Sequence, residues 1–76
     1  MKKYKPRLTK QDKKIGNRIQ KLRKEQKLTQ EQLADNVSIT AQHLSYIENG
    51  HRRPSLPLAR KLSRVLKTTL GELFAQ

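Results

Sequence analysis

Residues 28–50 read LTQEQLADNVSITAQHLSYIENG, and this stretch writes a helix start twice. Thr29 stands as an N-cap with Gln32 three residues on, the pairing of a capping box. Leu28 before the cap matches Leu33 at the fourth helical position, a hydrophobic staple. A short helix over 30–36 follows, burying Leu33, Ala34 and Val37. The same grammar returns at once. Thr40 is a second N-cap, and Ile39 and Leu44 take the two staple positions. This next helix runs over 41–48, where Asn49-Gly50 stops it. Its apolar residues are Leu44 and Ile47, which leaves Ala41, Gln42, Ser45 and Tyr46 on the other side.

Outward from this pair the pattern stays helical. Upstream, Thr9 and Asp12 have capping-box spacing, and Ile15, Ile19 and Leu22 recur at i, i+4, i+7, giving a first helix that ends near Gln26. Downstream, the basic loop HRRP leads to Ser55 as N-cap with Pro57 in the first turn, where a missing N–H costs little. Leu58, Ala59, Leu62, Val65 and Leu66 form one face of a fourth helix. Thr69 and Glu72 cap a short fifth helix carrying Leu70, Leu73 and Phe74. No strand pattern, internal repeat or second domain is visible. The expected fold is all-α: five short helices around one core over residues 9–76, preceded by a basic arm over 1–8. That arm, with Lys2, Lys3, Lys5 and Arg7, is either a solubilising tail or a segment that contacts phosphates or a groove.

Composition narrows the partners. Eighteen Lys/Arg against six Asp/Glu in 76 residues give a formal net charge of +12, the footprint of a polyanion binder. Nucleic acid comes first, ahead of an anionic membrane surface or an acidic protein. Tyr4, Tyr46 and Phe74 are too few aromatics for a single-strand stacking platform. Without cysteine there is neither a disulfide nor a thiolate metal site, and His43 and His51 do not suffice for zinc, so no metal or cofactor is expected. No apolar run approaches a membrane span, and the chain start lacks the apolar segment of a secretory signal. A cytoplasmic protein, bacterial or phage-encoded, is the expectation. Paired carboxylates, a phosphate-cradling glycine loop and a nucleophile with its base are all missing, so an enzyme is not expected.

About three residues separate the second and third helices, the connection length of a helix-turn-helix. The segments LTQEQLA and IENG, the following Pro54 and the closing LGELF stand at the offsets of the Cro/C1-type (XRE) helix-turn-helix regulators of phages and bacteria. With IGNRIQKLRKEQK as first helix, the chain resembles that family over about 15–74, which implies a compact, phage-repressor-like five-helix domain. The family often has glycine where this chain has Ser38, Lys27 and Lys67. A side chain held at positive φ there costs of order 1 kcal/mol, so strain or another local conformation is expected.

The resemblance also implies roles. The third helix becomes the recognition helix, with Ala41, Gln42, Ser45 and Tyr46 facing the major groove; Gln42 suits adenine N6/N7 and Ala41 a thymine methyl. Thr29, Gln30, Thr40, Asn49, Gly50, Arg52 and Arg53 fall where the family meets phosphates, Gln30 from a helix N-terminus. His43 lies at the edge of this helix, partly packed or beside a phosphate. Glu48 is the odd residue, a carboxylate near a helix C-terminus where the macrodipole disfavours it. The family frame pairs it with Arg23 of the first helix in a largely buried salt bridge. The function implied is a sequence-specific double-stranded DNA-binding regulator, foremost a repressor, bound as a homodimer to a (pseudo)palindromic operator. The alternative is a DNA-binding antitoxin or adaptor whose main partner is a protein such as a toxin.

Overall fold

The computed structural model describes residues 9–75, so the expected arm over 1–8 lies outside the described residues. Five helices follow in order: α1 (Lys10–Glu25), α2 (Gln30–Asn36), α3 (Ala41–Glu48), α4 (Leu56–Val65) and α5 (Leu70–Leu73). Each begins at the hydroxyl the sequence puts there. Thr9, Thr29, Thr40, Ser55 and Thr69 all accept a hydrogen bond from the backbone N–H three residues on. Only α2 carries the complete reciprocal box, in which the Gln32 side chain accepts from the Thr29 N–H at 2.9 Å. The other two expected boxes are corrected: Asp12 accepts from Arg53 across the molecule, and Glu72 accepts from the Thr68 hydroxyl. An acid at the third position has two competing uses, and a nearby cation or hydroxyl takes it from the cap.

The turns after α1, α2 and α4 place Lys27, Ser38 and Lys67 at φ of 59°, 62° and 59°. These are the three positions where glycine was missing, and the backbone adopts the left-handed form regardless. Leu28, Ile39 and Thr68 then return backbone hydrogen bonds to Arg23, Ala34 and Ser63, closing each helix end.

One core holds the elements together. Ile15 and Ile19 of α1, Leu33 and Ala34 of α2, Val37 after it, Leu44 and Ile47 of α3, Leu58 and Leu62 of α4, and Leu66 and Leu73 behind them are all buried in a single cluster. Each large aliphatic chain removed from water contributes about 1.5–3 kcal/mol against the entropy of ordering the chain. Leu28 and Ile39, the outer halves of the two staples, are half-buried against the same cluster. α1 packs across α3 and α5, α2 against α3, and α4 against α5. Among the described residues no helix is long and apolar enough to cross a membrane.

Gly16 sets the α1–α3 distance. A Cβ built on it would lie 2.4 Å from the Ile47 carbonyl oxygen and 2.5 Å from that of Glu48, closer than real atoms approach. The backbone of α3 therefore seats directly on α1. Elsewhere along α1, the Gln11 amide donates to the Phe74 carbonyl, and the Arg18 guanidinium donates to the Leu73 and Ala75 carbonyls. These contacts satisfy the acceptors left open at the end of α5.

Candidate nucleic-acid interface

Glu48 is buried, and Arg23 nearly so. Arg23 Nε donates to Glu48 Oε2 at 2.7 Å and Nη2 to Oε1 at 3.1 Å, the two-pronged geometry that a planar guanidinium makes with a carboxylate. Arg23 Nη1 donates to the Leu28 carbonyl at 2.8 Å, and Gln30 Nε2 donates to Glu48 Oε1 at 2.9 Å. Glu48 thus ties α3 to α1 and to the first residue of α2. The expected bridge is present with a third member, because Gln30, assigned to phosphate by its position, turns its side-chain amide inward. Its backbone N–H remains at the start of α2.

With α3 fixed from behind, two of the four residues expected on its outer face are exposed there. Tyr46 is 42% exposed and Gln42 is exposed. Gln42 Nε2 donates to the Tyr46 hydroxyl at 3.0 Å, one turn apart on the helix. That bond orients the amide and leaves its oxygen and second N–H open, the two groups a bidentate contact with adenine needs. Thr40, Gln42, His43, Tyr46 and Arg52 line an open depression of about 280 Å³ on this side. The Tyr46 ring meets the His51 ring edge-on, with centroids 6.4 Å apart.

Two expected readers are partly committed elsewhere. Ala41, placed on the outer side by the spacing, is half-buried against the core, so only part of its methyl faces out. Ser45 is half-buried as well. Its carbonyl accepts from Asn49 Nδ2 at 2.8 Å, and its hydroxyl from the same nitrogen at 3.3 Å. The Asn49 amide is accordingly folded back onto α3. Thr29 and Thr40 are exposed, with hydroxyls used in capping, and His43 is half-buried with its N–H on Thr40.

The loop after α3 is held along its length. The Gly50 N–H donates to the Ile47 carbonyl and the His51 N–H to that of Tyr46, with Gly50 at φ 84°. Arg52 is exposed, and Arg53 Nε donates to Asp12 Oδ1 at 2.7 Å. Residues 28–50 contain no Lys or Arg in a chain with eighteen. The cations fall before and after this stretch in the sequence, and exposed Arg52 and Arg53 follow α3 directly, so the outer face of α3 carries neutral donors and acceptors.

A helix-turn-helix family model matches residues 19–73. The chain belongs to the Cro/C1-type helix-turn-helix family. The control protein C.MunI of a Mycoplasma species is 44% identical over 62 residues, covering 80% of this chain and 84% of that one. Among solved structures, the restriction-modification controller protein C.AhdI of Aeromonas hydrophila is 34% identical, with a TM-score of 0.76 over 82% of this chain and 94% of that one. The P22 c2 repressor in complex with a synthetic operator is 26% identical, with a TM-score of 0.78 over 80% and 92%. This helix-turn-helix chain therefore shares its fold across almost the full length of the two solved domains.

Sequence reasoning missed the contacts of three residues. Asp12 was given only a local capping role and Gln30 an outward one toward phosphate, yet both side chains serve contacts far along the chain. Gly16 left a signal, since an isolated glycine inside a helical pattern marks a close approach or a packing need.

Proposed function

We propose that the protein is a transcriptional repressor that binds a (pseudo)palindromic operator in double-stranded DNA as a homodimer, with α3 in the major groove. One observation carries this reading: a neutral hydrogen-bonding face on α3, tied to α1 and α2 by Glu48 and followed directly by exposed Arg52 and Arg53. Gln42 and Tyr46 read base edges as a hydrogen-bonded pair, with Ser45 and the exposed part of Ala41 beside them. Arg52, Arg53, His43, Thr29, Thr40, the Gln30 N–H and the Asn49-Gly50 corner meet phosphates on either side. A single copy offers few base contacts, and doubling them through two-fold symmetry brings specificity into a useful range. Half-buried Leu70 and Phe74, at the start and end of α5, offer apolar surface for that pairing.

Selection of binding sites from random duplexes, followed by footprinting, tests the reading. The expected product is an inverted repeat with half-site centres about 10–10.5 base pairs apart, or a multiple of that. Protection spread evenly over random DNA would overturn it. The likeness to C.AhdI favours control of a restriction-modification system as the biological setting. Neighbouring methyltransferase and endonuclease genes are then expected, whereas a small toxin-like reading frame beside the gene would move the assignment to an antitoxin.

A further inference from the structure

The Asp12–Arg53 pair spans 41 residues and joins the first turn of α1 to the loop behind α3. Its two ends differ in surroundings. Asp12 is 1% exposed, whereas the Arg53 side chain is 46% exposed. A buried carboxylate requires a cation, because desolvation without one costs several kcal/mol. The Arg53 guanidinium contributes to that need through Nε, at 2.7 Å from Oδ1. Its two Nη groups make no hydrogen bond to any described residue. A planar fork serves two anions at once in this way, one on each edge, and a lysine ammonium does not. The backbone around Arg53 is also fixed, by the Gly50 and His51 N–H bonds before it and by buried Pro54 and the Ser55 cap after it.

We propose that Asp12 is a positioning residue for DNA binding: it holds Arg53 by its Nε edge so that the Nη edge is presented, already oriented, to a backbone phosphate beside the major groove. Asp12 itself touches no DNA. The inference rests on the reading that Arg53 meets a phosphate, and gives that contact its geometry. In a chain of net charge +12, an acid near a polyanion site weakens the attraction unless it does something of this kind.

The test is a double-mutant cycle on operator affinity, measured across salt concentrations with folding checked by circular dichroism. Arg53→Gln is expected to weaken binding roughly tenfold per bound protomer, the scale of one charge-assisted hydrogen bond. It also lowers the salt slope by about 0.9, the signature of one lost phosphate contact. Asp12→Ala is expected to reproduce much of both changes with Arg53 present, and to add nothing in the Arg53→Gln background. Arg53→Lys, which leaves Asp12 in place, is expected to resemble Arg53→Gln because the buried carboxylate captures the single ammonium; it decides the matter if Asp12→Ala does not fold. Wild-type affinity and slope in Arg53→Lys would overturn the proposal. So would an Asp12→Ala effect of equal size with and without Arg53, which marks a structural role, or Asp12→Ala binding as wild type while Arg53→Gln is weakened. If Arg53→Gln itself binds as wild type, the phosphate contact fails and the positioning role with it, a result separable from the others.

Discussion

Replacing Glu48 by glutamine removes the charge from a site where Arg23 has little water to turn to. Both residues are buried, and the two-pronged contact is the counterpart of the guanidinium. A buried ion pair is a modest source of net stability, because desolvation offsets the attraction, yet breaking one from a single side leaves an uncompensated charge. Glu48→Gln is therefore expected to cost about 3–5 kcal/mol. For a domain of this size, whose total stability is about 4–11 kcal/mol, that is a large share. Circular dichroism melts measure it, and an unchanged melting temperature would contradict the role assigned to the pair. The reading of Arg23 and Glu48 came through the family frame, since spacing alone does not tell which of eighteen cations meets a given acid. Gln30 shows the limit at this scale: its place at the start of α2 suggested an outward role, and only the approach of α3 reveals Glu48 within reach of its amide.

At the scale of the element, α3 is a helix of eight residues whose position matters more than its own stability. α1 fixes it through the absence of a side chain at Gly16. Gly16→Ala adds an atom 2.4 Å from a backbone oxygen, and backbone yields far less readily than a side-chain tip. The helix propensity gained, about 1 kcal/mol, is opposed by overpacking of about 1–3 kcal/mol. The larger consequence is a displaced α3. Operator affinity is expected to fall further in Gly16→Ala than its melting temperature implies, which titrations well below the melting point check. Gln42→Ala makes the complementary case. It leaves the core untouched and is expected to cost about 1–3 kcal/mol at the operator with little change on random DNA, measured by competition between the two. Caps and staples made the start of each helix readable, because they depend on residues three to five apart. The half-burial of Ala41 was not readable, because it depends on how α3 lies against the core.

For the whole molecule the governing quantity is charge. Of six acids, Asp12 and Glu48 are buried in ion pairs, so a third of the negative charge is inside, while most Lys and Arg among the described residues are exposed. Operator affinity is expected to fall by about a thousandfold or more between 50 and 200 mM salt, as for proteins making six or more phosphate contacts, and filter-binding isotherms across that range measure it. A nearly flat dependence would remove the phosphate-framing picture while leaving the fold intact.

Local chemistry was enough to specify five capped helices, their apolar faces and the turn between α2 and α3, since each rests on neighbours in the chain. The turns at Lys27, Ser38 and Lys67 were left open between strain and another local conformation, and the structure has all three in the left-handed form although none is glycine. Tertiary structure decided the rest: the seating of α3 on Gly16, the inward turn of Gln30, and the pairing of Arg53 with Asp12. Each of these joins groups on different helices or loops, and their distance is set by the packing of the core between them.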